Sequence, residues 1–245
     1  MVSASYQSLE CLHRIKWKNE VPPDNRAYSP TSVEHIANIV THGFVIPPVI
    51  CLFYDLLQGP VSPAQYWAFL IYGNVLVGLF SVSTLFHLVS FTIKNGQLRN
   101  LLHRGDRAMI YLFIAGSYTP WLTLRKFPVG SWSEDLLWLT WLIASLGIAY
   151  QQCFHERYKL LDTLIYVSVA LTPSLCVLEM EDSGGISELQ LSGIVYFVGV
   201  FFFKADGKVP FAHAIWHLHV VVGAMIHYYA VATYLKSTEM VKEII

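Results

Sequence analysis

Seven long apolar segments constrain this chain more than any other feature of its sequence. Each is close to the roughly 20 residues that a helix needs to cross the hydrocarbon layer of a bilayer. Hydrophobic residues make up 54% of the chain and charged residues only 13%, a balance that excludes an ordinary soluble domain. The sequence therefore predicts an all-α membrane protein, a bundle of seven transmembrane helices near residues 34–57, 63–93, 106–124, 133–151, 158–180, 186–203 and 211–235.

These segments divide the chain into three parts. Residues 1–30 form a polar tail, residues 31–236 the seven-transmembrane domain, and residues 237–245 a second short tail. The polar connection at 94–104 contains turn-forming residues and is predicted to be a loop. A net charge of −1 argues against a nucleic-acid partner, and the four scattered cysteines predict neither a disulfide nor a thiolate metal site.

The basic residues are distributed unequally between the two ends of the predicted bundle. If successive segments alternate in direction, twelve of the sixteen lysines and arginines lie at the end that carries the N-terminus. The four at the other end are Arg125, Lys126, Lys236 and Lys242. Cytosolic loops carry such an excess of positive charge. The N-terminus is therefore predicted in the cytosol, and the C-terminus in an organelle lumen or outside the cell.

Histidines provide the most informative motif in the chain. His213 and His217 stand four residues apart at the start of the last segment, and a helix places such residues on one face. Two imidazoles presented in this way can share a metal ion such as zinc. For a pair taken alone, hydrogen-bonded interior histidines are the more common explanation. His219 points to another face and His227 lies deeper, so neither is expected to join the pair.

The predicted topology brings further polar residues to the same end of the bundle. Ser83 and His87 lie near the cytosolic end of the second segment, and Asp106 opens the third. His87, His213 and His217 would form a zinc site that leaves a fourth position for water. Asp106 and Ser83 would then be placed to hydrogen-bond or deprotonate that water. For Asp106 alone, the simpler explanation is a helix-capping carboxylate paired with neighbouring arginines.

A polar stripe runs along the cytosolic half of the first segment. Glu34, Asn38 and His42 recur every four residues. Ionisable groups are costly inside a membrane and normally face the interior of the bundle. These residues could support the zinc ligands from behind, or they could form hydrogen bonds between helices that only fix the packing.

Motifs spread over the chain resemble the progestin and adipoQ receptor family, also called the haemolysin III family. They are Glu34-His-Ile-Ala-Asn38-Ile-Val-Thr41-His42, Ser83-Thr-Leu-Phe-His87, Asp106, Gly116-Ser-Tyr-Thr-Pro-Trp121 and His213-Ala-Ile-Trp-His217. Within the family, the short first tail and the run from Phe202 to Leu218 are most similar to the monocyte-to-macrophage differentiation factor branch. The long N-terminal domain of the adiponectin receptors is missing, so their ligand is not expected here.

The resemblance implies seven helices, a cytosolic N-terminus and a zinc site near the cytosolic face, with Ser83, His87, Asp106, His213 and His217 matching the family's zinc-site residues. An internal membrane of the Golgi, endosome or lysosome is expected. Because that site is similar to the site of alkaline ceramidases, the implied chemistry is hydrolysis of a lipid amide such as a sphingolipid, with Asp106 accepting a proton from water. The alternative is a receptor-like signalling scaffold in which zinc is structural and a signalling protein binds the cytosolic face.

Overall fold

The computed structural model describes residues 16–21, 27–93, 95–155 and 157–236, which form helices and connecting loops without a β-strand. The helices are α1 Ser32–Gly43, α2 Ile46–Leu56, α3 Pro63–Thr92, α4 Gly96–Leu124, α5 Leu136–Cys153, α6 Lys159–Ser174, α7 Ile186–Phe203 and α8 Ala212–Val231. Two 3₁₀ helices, Trp132–Asp135 and Leu175–Leu178, and a π-helical turn at Ala232–Lys236 adjoin them. The predicted all-α class is confirmed. The predicted tail at 237–245 and most of the tail at 1–30 lie outside the described residues.

Six stretches of the described chain are long and apolar enough to cross a membrane. They are Ser32–Leu56, Pro63–Thr92, Trp132–Cys153, Leu160–Leu178, Ile186–Phe203 and Ala212–Lys236. The first of them combines α1 and α2, and each agrees with a predicted segment to within a few residues. Large apolar side chains such as Phe44, Leu146 and Phe201 are exposed on the outside of the bundle, where lipid tails would cover them. The protein is therefore a multi-pass membrane protein.

The third predicted segment belongs to a longer helix, α4, which is not one of these six stretches. The side chain of Asn95 caps α4 by accepting hydrogen bonds from the backbone amides of Gln97 and Leu98 at 3.0 and 3.1 Å. The prediction of a loop at 94–104 was therefore wrong, because a capped helix already runs through it. Asp106 lies about three turns inside α4 and does not open it. The added turns are more polar than the six apolar stretches and carry Arg99 and Arg104.

The helix α3 makes its most extensive contact with α4. It packs against α1, α2 and α4, while α8 packs against α1 and α7. The fully buried side chains include Phe69, Tyr72 and Phe80 of α3 and Trp121 of α4. A second apolar cluster joins α4 to α5 and α6 through Tyr111, Ala115, Ala144, Tyr166 and Val169. As a result, α1, α3, α4 and α8 surround one common interior.

Contacts between helix ends show that α1 and α8 begin at the same end of the bundle, and that α5 ends where α4 begins. The backbone amide of Phe211, at the start of α8, donates to Glu34 near the start of α1. Arg104, near the start of α4, donates to the carbonyl of Gln152 at the end of α5. We call the end of the bundle that holds these contacts the basic end, since most lysines and arginines lie there.

Candidate metal centre

Three histidines from α3 and α8 meet at the basic end. The ligand nitrogen atoms of His87, His213 and His217 lie within 4.8 Å of one another. The ring centroid of His87 is 5.1 Å from each of the other two, which are 4.7 Å apart. Zinc–nitrogen bonds of about 2.0–2.1 Å place the nitrogens of a tetrahedral site about 3.4 Å apart, so the cluster would need to close by no more than about 1.4 Å. The structure brings together the three residues that the sequence predicted as metal ligands.

The start of α8 explains how two of these histidines are presented. Phe211, the residue before the helix, has a φ of 57°, a left-handed conformation that costs a residue with a side chain about 1 kcal/mol or more. Its amide donates to Oε1 of Glu34 at 3.3 Å, and the ring of Trp17 packs on its ring at 6.0 Å. These contacts hold a strained turn that places His213 and His217 opposite α3.

Two residues that were not predicted at the site orient the histidine rings. Oδ2 of Asp206 lies 3.2 Å from Nδ1 of His213, and Oγ1 of Thr41 lies 3.0 Å from Nδ1 of His217. With Nδ1 engaged in both rings, Nε2 is left for the centre of the cluster. Metal-binding histidines are usually held in this way through their other nitrogen. The position of Asp206 in the tight turn before a paired-histidine helix is the signal that could have identified it.

His87 supplies the observation that best fits a metal ion. Its side chain is buried, and neither ring nitrogen has a hydrogen-bond partner among the described residues. Leaving a buried polar group unsatisfied costs about 1–3 kcal/mol. A metal ion at the cluster would bind one of these nitrogens, and the donor set of three imidazoles is the one found in catalytic zinc sites.

Asp106 and Ser83 lie next to the histidines. The Asp106 carboxylate lies close enough to His213 to interact with it electrostatically, and Ser83 is a neighbour of the same carboxylate. Ser83 is buried one turn before His87 on α3. The structure therefore places both residues beside the three histidines, as the sequence predicted.

The arginines near Asp106 contact other helices. Nη1 of Arg107 lies 3.8 Å from Oδ2 of Asp162 on α6, and its guanidinium lies 4.7 Å above the ring of Phe203 on α7. Arg104 donates to the carbonyl oxygen of Gln152 at 2.5 Å. These contacts fix α4 against α5, α6 and α7. Asp106 interacts electrostatically with Arg107 as well as with His213, so its pairing with a neighbouring arginine and its place beside the histidines are both present.

The polar stripe of α1 is divided between two places. The ring of His42 stacks on that of His217, with centroids 3.7 Å apart and planes 14° from parallel. Asn38 is buried, and its side-chain atoms have no partner in the described chain. Glu34 lies further out, where Oε2 accepts from the Tyr28 hydroxyl at 2.8 Å. His42 is thus in contact with the cluster, while Glu34 joins the tail to the starts of α1 and α8.

The described part of the first tail covers the basic end beside the cluster. Nζ of Lys18 donates to the carbonyl oxygen of Gly207 at 3.2 Å, next to Asp206 in the same loop. The backbone amide of Asn19 donates to the Tyr28 hydroxyl at 2.8 Å. Burial raises the pKa of Tyr28, so its hydroxyl stays protonated and can donate to α1. The tail therefore holds the loop that carries a hydrogen-bond partner of the cluster.

An apolar cavity of about 670 Å³ runs between α4, α6, α7 and α8, within the usual range of ligand pockets. Phe203 and Trp216 line it near the cluster, and the ring of Phe203 lies 6.2 Å from that of His213. Leu171 of α6 and Phe197 of α7 also line it and are exposed on the outside of the bundle. The cavity thus joins the surroundings of the histidines to the lipid-facing surface.

Known sequences match most of the chain. A protein family described as "Haemolysin-III related" matches residues 31–228. The chain is similar to the monocyte to macrophage differentiation factor of Homo sapiens, with 42% identity over 226 residues, 90% of this chain and 92% of that protein. It is 36% identical over 217 residues to Hemolysin-3 of Bacillus cereus, covering 84% of this chain and 93% of that protein. The family match includes every residue of the histidine cluster.

Proposed function

The chain belongs to the haemolysin III family of membrane proteins, and we propose that it is a seven-helix, zinc-dependent hydrolase of lipid amides. The observation that carries the proposal is the arrangement of His87, whose two nitrogens have no partner in the described part of the chain, opposite His213 and His217, whose Nδ1 atoms are already held. These three residues are the proposed zinc ligands. A ceramide-type sphingolipid is the proposed substrate.

The chemistry divides between the metal and the neighbouring side chains. Zinc, when bound, lowers the pKa of a water ligand and polarises a substrate carbonyl. Asp106 would accept the proton of the attacking water and transfer it to the amine that leaves. Ser83, next to that carboxylate, would orient the water or donate to the oxygen on which negative charge develops.

Three other residues would keep the ligands in one arrangement. Asp206 and Thr41 hold the Nδ1 atoms of the paired histidines, which fixes the orientation of each ring. His42 stacks on the ring of His217 and shields it from the α1 side. Asp206, Thr41 and His42 would therefore act by positioning and not by contact with the substrate.

The cavity supports a lipid as the substrate. Its walls are apolar and it approaches His213 through Phe203, so an acyl chain could lie in it while the amide reaches the metal. The exposed residues Leu171 and Phe197 at its border support sideways entry from the bilayer between α6 and α7.

The proposed topology adds α4 as the third of seven spans and places the basic end in the cytosol. The excess of lysine and arginine at that end supports this orientation. Protease protection of a C-terminal tag on sealed vesicles would test it, since digestion without permeabilisation would overturn the lumenal C-terminus. An internal membrane of the Golgi, endosome or lysosome is the proposed location, which imaging of the tagged full chain would check.

The decisive experiment compares fatty-acid release from ceramide with zinc content in the purified full-length protein. We expect His213→Ala to lose both zinc and release, and Asp106→Asn to keep zinc while release falls at least about 100-fold, the usual contribution of a general base. Asp182→Asn, at the opposite end of the bundle, serves as the control and should change neither. Equal release from the wild type and both site variants would refute the hydrolase. Stoichiometric zinc without any release from the wild type would instead favour a signalling scaffold with structural zinc.

A further inference from the structure

His227 lies in the same cavity but far from the histidine cluster. It follows His217 by ten residues on α8, about 15 Å along the helix axis, and it lines the cavity while remaining buried. Its Nε2 is 3.0 Å from the carbonyl oxygen of Ser117 and 3.2 Å from Nε1 of Trp121. A neutral ring nitrogen can donate to the carbonyl or accept from the indole, but it cannot do both.

The other nitrogen of His227 is therefore available to a ligand. If Nε2 accepts from Trp121, Nδ1 carries the proton and is a donor; if Nε2 donates to Ser117, Nδ1 is an acceptor. In both cases Nδ1 makes no hydrogen bond within the described chain. A group that can both donate and accept would pair with either form of the ring.

Two tyrosine hydroxyls without partners lie at the same depth. The hydroxyl oxygens of Tyr72 and Tyr196 are buried and unpaired among the described residues. The Tyr72 ring is 5.6 Å from that of His227, and Tyr196 packs on α8 at Gly223, one turn before His227. A Cβ at Gly223 would lie 2.6 Å from the Tyr196 ring, so only glycine leaves room for it. Buried polar atoms are nearly always hydrogen-bonded, and this group therefore indicates a missing polar partner.

We propose that Tyr196 and His227, which line the cavity, and Tyr72, whose ring packs beside that of His227, form a subsite that binds a hydroxyl group carried on a lipid chain in the cavity. A hydroxyl both donates and accepts, so it can pair with a phenol and with either form of His227. An unmodified hydrocarbon chain would leave the two tyrosine hydroxyls and Nδ1 of His227 without a partner in the described chain. The inference rests on the proposed function only in taking a lipid as the occupant, because the subsite binds part of the chain that does not react.

The test measures binding to the full-length protein in detergent micelles, with hexadecanoic acid and a series of hydroxyhexadecanoic acids whose hydroxyl moves along the chain. Displacement of a fluorescent fatty acid gives the dissociation constant of each. We expect one region of the series to bind about three- to tenfold more tightly than the parent acid, the usual net value of a hydrogen bond. Equal binding throughout the series would overturn the proposal and leave buried water as the partner.

Two variants assign that preference to the subsite. Tyr196→Phe removes only a hydroxyl that has no partner among the residues that the structure describes, so we expect the fold to be kept and the hydroxyl preference to fall. His227→Phe should abolish the preference. His219→Phe is the matched control, because that ring bonds to the carbonyl of Ile215 at 2.8 Å and stacks on Phe202 instead of lining the cavity. A preference that survives both subsite variants would refute the assignment.

A metal-ligand variant separates this inference from the proposed hydrolysis. His213→Ala removes a proposed zinc ligand but leaves the three subsite side chains in place. If it keeps the hydroxyl preference, the subsite stands whether or not the wild type releases fatty acid from ceramide. If the wild type hydrolyses ceramide but shows no hydroxyl preference, the hydrolase stands and the subsite is refuted.

Discussion

Replacing Asp206 tests whether the loop before α8 helps to hold a metal. Oδ2 of Asp206 lies 3.2 Å from Nδ1 of His213, and asparagine would keep the shape of the side chain while removing its charge. Hydrogen bonds to an ionised group are roughly twice as strong as neutral ones. Loss of such a partner behind a metal ligand typically lowers metal affinity by about 10–100-fold.

The structure indicates which part of that range to expect. The side chains of Asp206 and His213 are 26% and 19% exposed, so solvent screens the interaction only in part. We expect Asp206→Asn to weaken zinc binding by about 10-fold, or about 1.4 kcal/mol, and Asp206→Ala to approach the upper limit. Because Oδ1 of Asp206 is buried without a partner in the described chain, the asparagine amide would also lack an acceptor if it took that position. Some loss of thermal stability should accompany the loss of affinity.

Zinc affinity is measured by competition with a chelator of known affinity, on the folded full-length protein. Asp206→Glu should recover part of the affinity, since it restores the charge, whereas a purely structural role in the loop would not favour glutamate over asparagine. Asp182→Asn controls for removal of a carboxylate at the other end of the bundle. Zinc affinity within twofold of the wild type in Asp206→Ala would refute the role of this residue.

Two further predictions concern residues outside the membrane. Tyr28→Phe removes a hydroxyl that donates to Glu34 and accepts from the amide of Asn19. Each of these hydrogen bonds contributes about 1 kcal/mol, so the tail should separate from the bundle more often. We expect trypsin to cleave after Lys16 and Lys18 faster, while the unfolding temperature of the bundle is unchanged. The backbone amide of Gly184 donates to Asp182 and, with a neighbouring arginine, holds the pKa of that carboxyl below its ordinary value of 3.8. This stabilisation is present above pH 3.8 and is lost as the pH falls through the lower pKa of the folded state, so the melting temperatures of wild type and Asp182→Asn should differ at neutral pH and converge in acid.

Hydropathy located most of the helices from the sequence, because it detects long segments of low polarity. Six apolar stretches were placed to within a few residues because a membrane requires both length and low polarity. The start of α4 was misplaced because its first turns are polar, so that only the apolar half of the helix resembled a span. The cap at Asn95 was readable in principle, but the same Asn-Gly pair is also a strong turn signal.

The site was predictable where it depended on spacing within one helix. His213 and His217 share a face by helical geometry alone, and alternating topology placed His87 at the same end. Thr41 and Asp206 were missed because a threonine in a helix commonly bonds to its own backbone, as Thr41 also does with Ala37, and because aspartate before glycine commonly marks a turn. Their second role appears only when distant segments are brought together.

The three histidines of the cluster differ in how firmly the surrounding residues hold them. His213 is held by Asp206, whose loop is bound by the tail through Lys18, and it begins a helix whose strained first turn is bound by Glu34. His87 has no hydrogen bond in the described chain. The two proposed ligands on α8 are therefore oriented before any metal binds, whereas the ring nitrogens of His87 on α3 are the ones left without hydrogen bonds in the described chain. A metal ion would gain a preformed pair from one helix and would relieve the desolvation cost of the third ligand on the other.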